Sequence, residues 1–239
     1  GFDFPFGWPR GAAVRVAGRP EGLALWAALE RLVADGPDNR SDRFAVAARL
    51  NALWSGEGPF WGRPRSVAAP GVPTRKGDWR AHGAPPAGSP PARRRAEARE
   101  RGAKSCWQLA YAGAVGSQAL LGMPGLARLR RAAGPAGRVA VWPFETGWTP
   151  GGAPVTLAEI YPSMLRAAVT ARRGPDEILD RAQVRVLAAA FAALDRAEGL
   201  DAAFAGPTDL DPEARETARR EEAWILGLER REALSAALG

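Results

Sequence analysis

Cysteine and histidine are almost missing from this sequence: Cys106 and His82 are the only ones in 239 residues. One thiol cannot close an intramolecular disulfide, and one thiol with one imidazole cannot make a Cys/His zinc site, so neither staple is available. Any metal would be held by oxygen, which favours magnesium or manganese. A Ser-His-Asp triad would lean on His82 alone, in a Gly/Pro loop with no carboxylate pattern beside it. No apolar run reaches the roughly 18 residues that a membrane-spanning helix needs. Lysine is scarce too, with only Lys76 and Lys104, so arginine carries the net charge of +7.

What is present is an apolar content of 46%, enough to bury a full core over this length. The reading is a single domain over 1–239 with 55–102 as a long basic loop or insert, and the expected location is the cytoplasm. Charge is concentrated in that insert: between Phe60 and Lys104, eleven basic residues face Asp78, Glu97 and Glu100, a local excess of +8, which leaves the rest near neutral. Eight prolines in 55–91 exclude regular structure there.

The chain opens GFDFPFGWPR (1–10), with an acidic residue inside a line of large apolar ones. Gly1, Phe2, Phe4 and Phe6 read as the end of a buried strand, and Pro9 as the first residue of a helix. A carboxylate at the carboxyl end of a core strand is costly unless a cation, a donor or water meets it. Asp3 therefore reads either as a cap for the following helix or as a metal ligand at a strand edge, where α/β folds place ligands.

Apolar spacing predicts helices over 20–34 and 41–54, a charged helix over 92–101, and two helical pieces after Lys104 broken near Gly122 and Pro124. A helix over 176–199 carries a stripe of Ile178, Val184, Leu187, Phe191 and Leu194, with Asp180 near its start. The last helix runs from Asp211, an N-cap followed by Pro212, to about Leu228. RVAVWPFE (138–145) and VTLAEIYP (155–162) read as strands of a hairpin, each ending on or near a glutamate. Trp26, Trp54, Trp142, Trp148 and Trp224 fall in apolar patterns and read as core, and Cys106 as a buried small residue.

The order of these pieces resembles a known family. DFPFG (3–7), KSCWQ (104–108), GSQALLGMP (116–124), EIYPSML (159–165) and DRAQVRVLAAAFAALD (180–195) are similar to segments of the bacterial domain-of-unknown-function family 429, which is assigned to the ribonuclease-H-like superfamily. The resemblance implies an α/β ribonuclease-H-like fold missing its first strands, with GFDFPFG as the fourth strand, a helical insert and the long Pro/Arg-rich loop. A reading frame continuing upstream, with an apolar strand ending in aspartate, is expected on this basis. The family pattern places its leading acid in that upstream segment, and Gln183 stands where many relatives carry an aspartate.

The activity so implied is divalent-metal-dependent phosphoryl transfer or hydrolysis on a nucleic acid or nucleotide, with carboxylates from strand ends and the last helix holding Mg2+ or Mn2+. Asp3, Glu159 and Asp180 match those places as catalytic and metal-ligating residues, and Glu145 is a fourth candidate ligand. The three acids are expected to converge within about 4 to 8 Å around a shared ion. Lys104, Ser105 and Gln118 are candidates for substrate binding, and the fragment as given is expected to be inactive. Arg93, Arg94 and Arg95, with Phe60, Trp61, Trp79 and Trp107 for stacking, suggest that the segment from Phe60 to Lys104 is a polyanion-binding lid. Duller roles stand beside these: Asp180 as a helix-start charge, Glu159 as a strand-end surface residue, Lys104 as a solvated cation, Gln118 as a packing amide. The alternative function is a non-catalytic nucleotide- or cofactor-binding protein associated with molybdopterin guanine dinucleotide or cobalamin biosynthesis. A third is an interaction protein whose Pro/Arg-rich loop is its working part.

Overall fold

Large aromatic side chains organise the interior. The computed structural model describes residues 4–38, 40–54, 58–77, 89–100, 102–134 and 138–239. Within them Trp8, Phe60 and Trp107 form a triangle with ring centroids 5.4, 5.2 and 5.0 Å apart, at the tilted and edge-on angles that aromatic quadrupoles favour. Helices α1 (Ala12–Ala17), α2 (Gly22–Leu32), α3 (Arg43–Asn51), α4 (Arg95–Arg99) and α5 (Gly116–Ala132) come first. Strands β1 (Val139–Val141) and β2 (Val155–Leu157) follow, and then α6 (Arg166–Arg172), α7 (Leu179–Arg196), α8 (Pro212–Thr217) and α9 (Arg231–Ala236). The architecture is mixed α/β, dominated by helix. No helix among the described residues is long and apolar enough to cross a membrane.

Two apolar clusters share the interior. One gathers Trp8, Trp26, Leu29, Leu50 and Trp107, and the other Trp142, Val186, Leu187 and Trp224. Trp26, Trp54, Trp142 and Trp224 are buried as expected, and Trp148 packs at the margin of the second cluster. Cys106 is fully buried, and burial pushes its thiol well above the ordinary range.

Several expected elements take a different form. The two strands do not make a hairpin: β1 and β2 pair in parallel, Val139 opposite Val155 and Val141 opposite Leu157. After Val141 the chain curls into a turn, with the Glu145 N–H donating to Val141 O and the Gly147 N–H to Pro143 O. It then runs back past β1 before re-entering in the same direction. The helix after Lys104 is continuous through Pro124 rather than broken. Gly122, Met123 and Pro124 are all buried there, and α5 packs along α2. Gly122 is required by the close approach of the N-terminal segment, since a Cβ would sit 2.5 Å from the Phe4 ring.

The charged helix is shorter than 92–101 because Arg94 caps it in extended backbone, φ −70° and ψ 164°. On α7 the buried stripe is Ala182, Val186, Leu187, Ala190 and Leu194, while Ile178 and Val184 are exposed. Val184 lies two residues from both Ala182 and Val186, which on a helix is nearly the opposite face. The last predicted helix starts as read, the Asp211 carboxylate accepting the Ala214 N–H at 2.8 Å. It widens into a π turn over Ala218–Glu222 and stops at Ala223, whose φ of 61° and ψ of −175° no helix can continue.

Two of the aromatic side chains expected to stack on bases belong instead to the core. Phe60 and Trp107 are 0% and 1% exposed. Asn51 fastens this stretch to α3: its side-chain amide donates to Phe60 O and Gly71 O, and its oxygen accepts the Phe60 N–H. Arg63 is likewise spent on backbone, donating to Val72 O, Pro64 O and Val67 O. Trp79 and His82 lie outside the described residues.

Candidate functional site

The sequence RRRAEARE (93–100) turns one of its arginines inward. Arg94 is 1% exposed, and its guanidinium meets two carboxylates from different parts of the chain. Nε donates to Glu97 Oε1 at 2.9 Å, while Nη2 and Nη1 donate to Glu159 Oε1 and Oε2 at 2.6 and 2.8 Å. Nη1 also donates to Glu222 O at 2.8 Å. The Arg94 N–H closes the capping box on Glu97 Oε2. Glu159 follows β2 and is fixed by its own backbone, its carbonyl accepting the Leu226 N–H at 2.8 Å. Its Oε2 accepts the Phe6 N–H as well, at 2.8 Å.

One buried cation thus serves two buried carboxylates. Burial works against the charge on Arg94, but Glu159 and Glu97 outweigh it and raise its pKa above the ordinary value. Burial likewise raises Glu97 above the usual carboxylate range, because Arg94 offsets only part of the penalty and the like charge of Glu159 adds to it.

A second pair of buried acids lies beside this cluster. Glu221 Oε1 accepts the Ala13 N–H at 2.9 Å and Glu222 Oε1 the Arg10 N–H at 2.9 Å, so the C-terminal segment satisfies donors around the start of α1, which has no side-chain cap of its own. Burial raises Glu221 above the usual range, against the pull of the Gly11 and Ala13 amides. Arg95 faces Glu222, Nη1 to Oε2, at 3.0 Å.

The sequence-predicted residues do not gather at one place. Arg94, Glu159 and Lys104 come together around a niche of about 20 Å3 also lined by Phe4, Pro5 and Glu97. Arg94 and Arg95 are not offered to a ligand as expected: each is committed to internal glutamates, leaving Arg93 as the exposed member of the three. Glu159 is not a surface residue but 6% exposed. Ser105 spends its hydroxyl on Ala92 O at 2.6 Å. Asp180 is exposed in the first turn of α7, and Glu145 is exposed beside β1, where it pairs with Arg130 and accepts the Val141 N–H at 3.0 Å. Neither lines the niche. Asp3 lies outside the described residues.

The implied divalent ion was expected at these acids. Both oxygens of Glu159 and both of Glu97 accept hydrogen bonds from Arg94, so an ion there would compete with a guanidinium that already donates to four oxygens. Among the described residues no group of three His, Cys, Asp or Glu side chains is placed to hold a metal. The described carboxylates therefore do not fit the ion, and no chemical step is assigned to it.

Phe4 also borders a second, larger space. A cleft of about 600 Å3 opens along α5, lined by Gln118, Ser117, Arg43, Asp35, Arg128 and an apolar wall. Arg43 is held by two hydroxyls, Nε to Ser117 Oγ at 3.1 Å and Nη1 to Ser41 Oγ at 2.7 Å, and lies over the Phe44 ring. Among the described residues it pairs with no carboxylate. Sequence reading missed Glu97, Glu221, Glu222 and Arg43. The Arg-x-x-Glu spacing at 94 and 97 and the adjacent acids of EEAWILG were visible signals, whereas Arg43 showed only as a residue near a helix start. Compared with protein-family models, with curated proteins and with solved structures, the chain finds no match.

Proposed function

We propose that the protein binds a nucleotide or nucleic acid through phosphate, on a ribonuclease-H-like α/β framework, and that it works by binding rather than by catalysis. One observation carries this reading: the Phe4 ring is shared by a cleft holding Gln118 and the half-buried cation Arg43 and by a niche holding the exposed cation Lys104. Two of the substrate-binding candidates thus flank one aromatic side chain. The commitment of Glu159 to Arg94 argues against its use in metal-assisted hydrolysis. Calorimetric titration with nucleotides and with a short single-stranded DNA or RNA at low salt tests the reading. Binding weakened by Gln118→Ala or Lys104→Ala supports it, and absence of binding by every one of these ligands removes it.

Mg2+- or Mn2+-dependent phosphoryl transfer or hydrolysis is the second reading; it rests on the family resemblance and on Asp3, since the described carboxylates do not fit the ion. Metal titration of the protein and of Asp3→Asn tests it. Equal metal binding by both removes Asp3 from any ligand set.

A further inference from the structure

Arg43 is a cation built into a concave wall, and among the described residues its hydrogen-bond partners are neutral hydroxyls. Its two hydroxyl bonds use Nε and Nη1, and among the described residues Nη2 has none. Ser117 is itself fixed, its hydroxyl donating to Leu109 O at 2.6 Å, so the guanidinium is oriented before any ligand arrives. A fork held this way suits two oxygens of one phosphate. The remaining lining limits what else the ligand can carry. Arg128, the other arginine of the cleft, is eleven residues beyond Ser117 on α5, roughly 16 Å at 1.5 Å per residue. It also lies near enough to Glu30 to help Arg131 hold that carboxyl below its usual range. With its backbone that far along the helix and its charge acting on Glu30, Arg128 is less available than Arg43 to the same phosphate group. Asp35 adds a carboxylate to the lining, which repels further negative charge and accepts hydrogen bonds from hydroxyls.

The rest of the wall is apolar. Gly125 bares the helix surface, and a Cβ there would meet nothing within 4 Å, which marks open space beside the backbone. Phe4, Leu121, Leu126 and Leu129 border that space, and Leu129 is 54% exposed. A volume of about 600 Å3 falls within the range of small-molecule sites. One phosphate anchor, one hydroxyl acceptor and one apolar wall are the complement of a single nucleotide.

We propose that this cleft is a site for one nucleoside monophosphate, its phosphate on Arg43 and its base against the Gly125 face of α5, an inference that rests on the phosphate-binding reading above. The test is calorimetry on the full chain with AMP, adenosine, ATP, inorganic phosphate and a short single-stranded DNA. AMP is expected to bind about tenfold or more tighter than adenosine or inorganic phosphate, with ATP no tighter than AMP. Arg43→Lys, which keeps the charge but loses the fork, is expected to weaken AMP about tenfold. Gly125→Leu fills the open space and is expected to abolish AMP binding with a melting temperature equal to or above that of the parent, so that lost binding is separable from lost folding. Tenfold tighter binding of ATP or of the strand than of AMP overturns the monophosphate assignment. AMP binding that survives Arg43→Lys and Gly125→Leu but falls with Lys104→Ala overturns the cleft while leaving phosphate binding intact. No binding by any nucleotide or strand overturns both.

Discussion

Arg94 grips both carboxylate oxygens of Glu159, 65 residues away in sequence, at 2.6 and 2.8 Å, and both groups are almost wholly buried. The contact joins the most basic stretch of the chain to the end of β2. It also sets one cation of that charge excess inside the fold, where two carboxylates meet it. Removing one partner of such a pair strands the other, whereas the pair itself contributes little net stability over an apolar replacement.

Arg94→Met is therefore expected to cost about 3–5 kcal/mol, read as a fall in the urea midpoint. Arg93→Ala, an exposed neighbour, is expected to stay within about 0.5 kcal/mol of the parent. Combining Arg94→Met with Glu159→Gln should recover part of the loss, because one uncompensated charge goes with it. Equal stability of Arg94→Met and the parent would show that the guanidinium is not internal.

Two glycines make a matched pair. A Cβ on Gly7 would lie 2.4 Å from the backbone oxygen of Glu221, whereas one on Gly125 meets nothing. Gly7→Ala is expected to destabilise by about 1–3 kcal/mol through overpacking against a rigid backbone. Gly125→Ala should stabilise by about 0.5–1 kcal/mol through helix propensity. Thermal melts of the two variants check the contrast, and a stabilising Gly7→Ala would contradict the close approach of the C-terminal segment to residues 6–7.

The sequence shows local features well and long-range ones poorly. The Asp211 cap, the start of α7 near Asp180 and the buried tryptophans are set by short spacing and are readable without a partner. Whether β1 and β2 run parallel depends on the path of 142–154, which no periodicity encodes. The same limit governs the site. A run of three arginines looks like one surface feature, yet Arg94 points inward because Glu97 and Glu159 wait there, and only the folded chain brings Glu159 to it. Lys104 was readable as an exposed cation, but its proximity to Phe4 was not.

Two glutamates should respond to pH in opposite directions. The Arg185 side chain, working against desolvation and helped by the Gly174 N–H, lowers Glu177 from its ordinary 4.5 to about 2. A depressed carboxyl contributes stability that is complete above its unfolded value and is lost as pH falls through the folded one. Glu177→Gln should therefore lose stability at neutral pH and show a shallower decline between about pH 4.5 and 2. Glu221 is raised by burial, so its ionisation costs stability as pH rises above 4.5. Glu221→Gln keeps an acceptor for Ala13 and should gain stability at neutral pH relative to acid pH. Urea midpoints across the pH range measure both, and parallel curves for parent and variants would exclude the assignments.

Salt dependence separates a polyanion groove from a small-ligand cleft. Had Arg93, Arg94, Arg95 and Lys104 all faced a single strand, four phosphate contacts would give a slope of log affinity against log salt near about −3. Arg94 and Arg95 are tied to Glu97, Glu159 and Glu222, which leaves Arg93 and Lys104 as the exposed cations of that set. Two contacts predict a slope of about −1.4, and Arg93→Ala should reduce its magnitude by about 0.7 without changing the melt. The Arg93→Ala/Arg94→Ala/Arg95→Ala triple variant is expected to lose stability through Arg94 instead of simply losing slope. Phe60 and Trp107 cannot supply base stacking from the core, so affinity for long strands should not exceed that for a few nucleotides. A slope of about −3 or steeper, with a triple variant that melts like the parent, would place all three arginines on the surface and reverse this account of the cluster.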